Sequence, residues 1–178
     1  MANPSFELES FEPNFSKRIE KRIYKKLSKY FKHEEFYKKP FSVHDSLSNK
    51  SNSYFYFVEN KKQTKKAILV ITIANGCRVG GCDVEHQEGE EFEQFYLYTL
   101  YNDYGELVDI RILDYQSEHG YQISSAWWLK QFVNNWDKKF IYGKNIDAIS
   151  GATISVKSTI RELSLLQKII NNQLYQAN

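Results

Sequence analysis

The sequence predicts an α+β fold, in which an antiparallel sheet packs against helices. Two observations indicate this: the central part of the chain alternates apolar and polar residues with a period of two, and both ends show helical periodicity. At 178 residues, with 42% apolar and 16% aromatic content, the chain can bury one sizeable core. We therefore expect a domain over residues 54–178, preceded by an N-terminal basic helix and connector over 1–53.

The first element is a helix predicted after Pro13, over residues 14–32. Apolar residues recur there at every fourth position: Phe15, Ile19, Ile23, Leu27 and Phe31. Lysine and arginine fill the other faces, and Asn14 or Ser16 is a suitable N-cap. Two interpretations stay open. The helix is either a solvated element with one stripe on the body of the protein, or a basic amphipathic helix that rests on an anionic membrane or partner.

The next segment, residues 33–53, contains Pro40 and the tract "SLSNKSNS", which predict a connector with little regular structure. Four strands follow, over residues 54–60, 66–76, 92–102 and 106–115. The polar "KKQTK" turn joins the first two strands, and Asp103 to Gly105 join the last two. The four strands therefore pair as two hairpins.

Two helices complete the chain, a short one predicted over residues 121–135 and a long one from about Ala152 to Gln173. The long helix carries an apolar stripe of Val156, Ile160, Leu163, Leu166, Ile170 and Leu174. In the short helix Trp127 and Trp128 are adjacent, so they cannot both face the core. We expect one ring inside and the other free to stack on a ligand.

The distribution of charge bears on possible partners. Eight of the 24 basic residues and one of the 22 acidic residues lie between positions 17 and 32, which leaves 16 basic against 21 acidic residues elsewhere. A mildly acidic body argues against nucleic-acid binding by the domain itself. No stretch approaches the roughly 18 apolar residues of a membrane span, and the first residues lack a signal-peptide pattern. Either the protein is cytosolic, or the sequence begins after a removed leader.

Both cysteines stand in "NGCRVGGCD", where Gly80 and Gly81 allow a tight bend between Cys77 and Cys82. This spacing predicts a local disulfide between Cys77 and Cys82, with two reduced thiols or a zinc site as the alternatives. The zinc site is the least favoured, because only His86 is nearby as a further ligand. A disulfide would favour an oxidising compartment.

The stretch "NIDAISGATISVKSTI", residues 145–160, leads from an irregular segment into the last helix through very small residues. A helix start attracts anions, and Gly151 and Ala152 leave space for a phosphate to approach the backbone. Thr153 offers a hydroxyl there, and Ser150 is a candidate cap. Asp147 could fix the turn through a hydrogen bond or help to deprotonate a hydroxyl. The alternative is purely structural, since a serine cap and small residues begin many helices.

The residues Asp147 to Thr153, Asp-x-x-Ser-Gly-Ala-Thr, resemble the flavinylation motif of FMN-binding domains. That family includes the C subunit of the sodium-pumping NADH:quinone reductase and the G subunit of Rnf complexes. The Cys77–Cys82 loop, "EHGYQI" from Glu118 and "WWLKQF" from Trp127 resemble small secreted or periplasmic bacterial members. The resemblance covers about residues 54 to 174.

The resemblance implies that FMN is joined through a phosphoester to Thr153 by a flavin transferase that uses FAD. It also implies membrane or soluble redox partners and an extracytoplasmic location. The other candidate cofactor contacts are His119 beside Gly120, Trp128 as a stacking ring, and Lys144 near the phosphate. The structural alternatives are a loop histidine, a core tryptophan and a solvated lysine.

Three functions remain open at this point. The first is a covalently flavinylated electron-transfer domain. The second is a reductase that binds FMN without a covalent bond. The third is a cofactor-free binding or structural module of the same fold.

Overall fold

The computed structural model describes residues 13–43, 50–78, 92–117 and 119–176. The helices are α1 (Lys17–Tyr30), α2 (Ala126–Asn134) and α3 (Thr153–Gln176), and a 3₁₀ helix spans Tyr121–Ser124. The strands are β1 (Phe36–Phe41), β2 (Ser53–Asn60), β3 (Lys66–Arg78), β4 (Phe92–Asn102) and β5 (Leu107–Leu113). The α+β class and the long C-terminal helix are confirmed.

The five strands form one antiparallel sheet in the order β1-β2-β3-β4-β5. The predicted hairpins are present as β2–β3 and β4–β5, and β3 pairs with β4 to join them. The register of β3 and β4 shifts between Asn75 and Arg78. Such an irregularity redirects the backbone at the end of a strand, and here it lies beside the start of α3.

The strand β1 corrects the expectation of a connector with little regular structure. Residues 36–41 pair with β2, from Phe36 opposite Asn60 to Phe41 opposite Phe55. Pro40 is tolerated because β1 is an edge strand, where one side of the backbone needs no partner strand. The sequence "FYKKPF" shows no clear alternation, so its pairing comes from the neighbouring strand. The functional boundary at residue 54 stays a prediction.

Helix α1 packs on one face of the sheet through its apolar stripe. Ile19, Ile23 and Leu27 are buried, and they share a hydrophobic cluster with Leu69 and Ile71 of β3. The side chain of Ser16 accepts a hydrogen bond from the Ile19 N–H at 3.4 Å, which confirms one of the two predicted caps. The cations of α1 are therefore left on the outer surface.

Helices α2 and α3 pack on the opposite face of the sheet. Val70 and Ala74 of β3 alternate with the residues that face α1, and they join a cluster that includes Trp128, Val156 and Leu163. The sheet is thus buried on both sides, with α1 in one outer layer and α2 and α3 in the other. No helix in the described part of the chain is long and apolar enough to cross a membrane.

Candidate functional site

Thr153 is the first residue of the 24-residue helix α3, and it is exposed to solvent. The carbonyl of Ala152 accepts the first helical hydrogen bond, from the Val156 N–H at 2.9 Å. The N–H groups of a first helical turn are not used within the helix, and the helix dipole makes this end positive. The Thr153 hydroxyl therefore lies where a phosphate would be stabilised.

The position of the helix start corrects the expected role of Ser150. The residue immediately before α3 is Ala152, so Ser150 does not occupy the N-cap position. Ser150 and Gly151 instead form an exposed turn in which the Ala152 N–H donates to the Ile149 carbonyl at 3.1 Å. The small residues of the motif thus shape the approach to Thr153.

A loop after β5 packs directly against this turn. A Cβ on Gly120 would lie 2.2 Å from the Cβ of Ala152, so only glycine permits this approach. Gly120 also has a φ of +68°, which favours glycine. A Cβ on Gly151 would lie 3.5 Å from the Cβ of His119. Exposed His119 and buried Gly120, both predicted from the sequence, therefore lie beside the motif.

Tyr115 ties the same loop to α3. Its hydroxyl donates to the His119 carbonyl at 3.0 Å and lies 3.2 Å from the hydroxyl oxygen of buried Ser155. On the other side of Ser155, the Cys77 sulfur lies 4.0 Å from the same oxygen and 3.5 Å from the Gly151 carbonyl oxygen. Three segments thus converge on the first turn of α3.

The predicted disulfide between Cys77 and Cys82 stays a prediction. Cys77 is buried at the end of β3. Cys82 lies outside the described residues, as does Glu118 at the start of the "EHGYQI" segment.

Asp147 is held in place by helix α2. Its backbone N–H donates to the Gln131 side-chain oxygen at 2.8 Å, and the Gln131 amide donates back to the Asp147 carboxylate at 3.1 Å. The Trp128 indole N–H donates to the Asp147 carbonyl at 2.9 Å. Asp147 itself is exposed, so a fixed carboxylate faces solvent six residues before Thr153.

As expected, one of the two adjacent tryptophans is buried and the other is exposed, but the expectation that Trp128 is the stacking ring is wrong. Trp128 is fully buried, with its ring edge-on to Phe132, so it offers no exposed face for stacking. Trp127 is 57% exposed and Tyr121 is 68% exposed. Trp127 directly precedes Trp128, and Tyr121 directly follows Gly120. Trp128 and Gly120 both contact the motif region. The rings of Trp127 and Tyr121 are better candidates for contact with a planar ligand.

Lys144 lies in an exposed turn between Tyr142 and Ile146, which form an isolated bridge. The side chain of Asn145 accepts from the Ile141 N–H at 2.7 Å and fixes this turn. The Lys157 ammonium lies 5.9 Å from the Tyr142 ring centroid. Since Lys157 is four residues after Thr153, it shares that face of α3 and is a second cation available to a phosphate.

Sequence reasoning missed Tyr115, Gln131 and Lys157. Gln131 lies three residues after Trp128, so both share one face of α2, and both bond to Asp147. That spacing was a weak signal. No sequence pattern indicated Tyr115, because its two partners, His119 and Ser155, lie in segments distant from one another in the chain.

The fold and site define a small α+β domain with a solvent-open site at the start of its last helix. The chain belongs to the FMN-binding domain family, whose model matches residues 64–163. No curated protein and no solved structure matches the chain. Membership of the family implies FMN as the cofactor.

The described residues fit this cofactor. Ala152 is buried under Gly120, whereas Thr153 is exposed at the positive end of α3, so its hydroxyl is accessible to a phosphate. Exposed aromatic rings at Tyr121 and Trp127 suit the flat ring system. The residues that would hold the phosphate are Thr153 and the first turn of α3, with Lys157 or Lys144 as the counter-charge.

Proposed function

We propose that this protein is an electron-transfer domain that carries FMN through a phosphoester bond to Thr153. The observation that carries the proposal is the exposed Thr153 hydroxyl at the first position of α3, directly after Ala152, which packs against Gly120. Bound FMN accepts two electrons and can release them one at a time. The chain's own residues fix where that chemistry occurs.

The attachment is a transfer reaction with FAD as the donor. A bond forms between the Thr153 oxygen and the phosphorus on the FMN side of FAD, and the bond to the AMP phosphate breaks. The hydroxyl proton is lost and AMP leaves. Asp147, held by Gln131 and Trp128, is placed as a fixed carboxylate of the motif that a transferase can use or recognise.

The loop of His119 has a separate role in this proposal. Tyr115 fixes the His119 carbonyl, while the imidazole remains exposed next to the Gly151 turn. An imidazole in that position can donate a hydrogen bond to a polar edge of the flavin ring and so tune its reduction potential.

The expected partners are a flavin transferase and membrane or soluble redox proteins, and the expected location is outside the cytoplasm. A covalent bond supports this location, because a carrier cannot replace a lost cofactor where free FMN is scarce. The exposed position of Thr153 supports the expected partners, since both the transferase and a redox partner need access from solvent.

The test is the intact mass of the denatured protein after co-production with an active flavin transferase. We expect wild-type protein to gain the mass of FMN less water and Thr153→Ala to gain nothing. Ser150→Ala is the matched control, because it removes another exposed hydroxyl of the same motif and should still be loaded. Loading of Thr153→Ala but not of Ser150→Ala would move the acceptor to Ser150.

The same samples separate the other two functions. If wild-type protein gains no mass but takes up free FMN, the non-covalent reductase replaces our proposal. If wild-type protein remains colourless both with the transferase and with free FMN, while a known acceptor is loaded, the cofactor-free module replaces our proposal.

A further inference from the structure

The outer face of α1 carries a row of cations opposite its buried stripe. Ile19, Ile23 and Leu27 are buried against the sheet. The exposed cations of the outer face are Arg18, Lys21, Arg22, Lys25 and Lys29. At about 100° per residue these five fall within an arc of roughly 100° centred away from the sheet. The residues near the start of this row line a shallow groove on the surface.

These positive charges are largely unbalanced. Glu20 is the acidic residue of the helix, and Arg18 lies 3.7 Å from Asp114 while remaining 76% exposed. Within the described ranges, the lysines and arginines at 21, 22, 25 and 29 have no ion-pair partner. By contrast, Lys61 at the turn after β2 is paired with Glu35 at 2.8 Å.

Lys26 lies on the flank of the row, and its pKa is lowered. Burial is the main cause of its lowered pKa, and Arg111 contributes next. Lys29 and Lys25 lower the pKa further, while Asp109 acts in the opposite direction. The positive potential of the α1 surface comes from the unpaired cations of the row, and not from this shift.

This surface lies on the opposite side of the molecule from the FMN site. Helix α1 covers one face of the sheet, and α3, which begins at Thr153, covers the other. With layers packed about 10 Å apart, the two helix axes are on the order of 20 Å apart. A redox partner bound along the row from Lys21 to Lys29 would be separated from the site by the sheet, whereas Arg18 at the start of the row lies 3.7 Å from Asp114, the residue before Tyr115. The α1 surface is better suited to anchoring the domain.

We propose that the outer face of α1 binds the surface of a bilayer that contains acidic phospholipids and leaves the Thr153 site facing away from it. The row follows a straight helix of 14 residues, about 21 Å long, so its cations can contact one flat surface together. Tyr24, 64% exposed on the flank of the row, suits the interface of a bilayer. The binding does not depend on FMN attachment.

The first test measures partition of the full chain onto vesicles of phosphatidylcholine with and without phosphatidylserine. The variant neutralises four residues of the row: Lys21→Gln, Arg22→Gln, Lys25→Gln and Lys29→Gln. The control removes the same charge from exposed lysines elsewhere: Lys130→Gln, Lys138→Gln, Lys139→Gln and Lys168→Gln. Glutamine keeps helix propensity close to that of lysine and arginine, so both variants should fold.

We expect wild-type protein and the control to bind the acidic vesicles, and binding to weaken with added salt. Each basic residue at an anionic bilayer contributes about fivefold to partition, so the α1 variant should lose on the order of a hundredfold or more. Equal loss in both variants would overturn the proposal, because net charge alone would then explain binding. Binding to heparin or duplex DNA without binding to acidic vesicles would also overturn it, in favour of an acidic macromolecular partner.

The second test measures orientation by fluorescence quenching with brominated acidic lipids. All three native tryptophans, at positions 127, 128 and 136, belong to the α2 and α3 side. We expect the brominated lipids to quench the fluorescence of these three tryptophans little. In Tyr24→Trp, we expect the fluorescence of the added tryptophan to be clearly quenched. Strong quenching of the native tryptophans with none at position 24 would show that the opposite face binds the bilayer.

Discussion

The two faces of the sheet are built on different principles. On the α1 side, a single apolar stripe packs on the strands and every charge of the helix points outward or to the flank. On the α3 side, buried polar residues lie within the core, among them Thr72, Thr99, Ser155 and Glu162. The first face is largely apolar, with Asn60 at the end of β2 and the Tyr98 phenol as buried polar groups, whereas the second contains the specific contacts that shape a site.

The buried carboxylate of Glu162 illustrates the second kind of face. Its two oxygens are contacted by the Ser51 hydroxyl at 3.1 Å and by the Arg161 Nε at 3.0 Å. Ser53 extends the network from Ser51 to Thr72 of β3. A buried charge is tolerated only with such partners. The hydrogen bonds from Glu162 through Ser51 and Ser53 to Thr72 therefore offset the cost of burying these polar groups, and they fix α3 relative to the sheet.

The largest effect is expected at the contact between Gly120 and Ala152. Gly120→Ala should cost about 4 kcal/mol of unfolding free energy, because it combines a left-handed backbone with a clash at 2.2 Å. Gly143→Ala is the matched control: its φ is +70°, but nothing lies within 4 Å of the added atom. It should cost only about 1 kcal/mol. Urea unfolding measures both, and equal costs would remove the close approach from our account of the site.

The next largest effect is expected in two leucine variants, in which a loss of stability can be distinguished from a loss of flavin loading. Leu27→Ala in α1 and Leu166→Ala in α3 each truncate a buried leucine and should each cost about 3 kcal/mol. If the faces have distinct roles, the folded fraction of Leu27→Ala should accept flavin at the wild-type rate, since Leu27 is buried on the face of the sheet opposite α3. The measurement is the loading rate normalised to folded protein. Slower loading of Leu27→Ala would show that the two faces are coupled.

The smallest expected effect is on the free energy of unfolding at alkaline pH. It is tested with one buried tyrosine from each face of the sheet. Burial raises the pKa of Tyr98, on the α1 side, and Asp109 raises it further. Burial likewise raises the pKa of Tyr101, on the α3 side, with Thr99 acting in the opposite direction.

Because the folded pKa exceeds the unfolded value, each tyrosine contributes stability that is full below pH about 10 and falls as pH rises above it. The slope is about 1.4 kcal/mol per pH unit for each group. Tyr98→Phe and Tyr101→Phe should each remove one such slope from the pH dependence of urea unfolding. An unchanged slope in either variant would mean that the phenol in question ionises without unfolding.

Much of the fold could be predicted because its signals are local. The every-fourth-residue stripe of α1 and the period-two strands each lie within one segment, and backbone geometry converts such periods into buried faces. The motif from Asp147 to Thr153 was also readable, since its position before an apolar helical stripe marks a helix start. The strand β1 was missed because "FYKKPF" lacks alternation and contains proline.

The sequence alone therefore determined every helix and strand except β1, the family resemblance and the candidate acceptor Thr153. The tertiary structure decided that β1 extends the sheet, that Trp128 is buried while Trp127 is exposed, and that Tyr115 and Gln131 support the site. It also placed the cationic row of α1 and the Thr153 site on opposite sides. The physical reason is that periodicity reports only how a residue faces its own segment, whereas these features depend on packing between residues far apart in the chain.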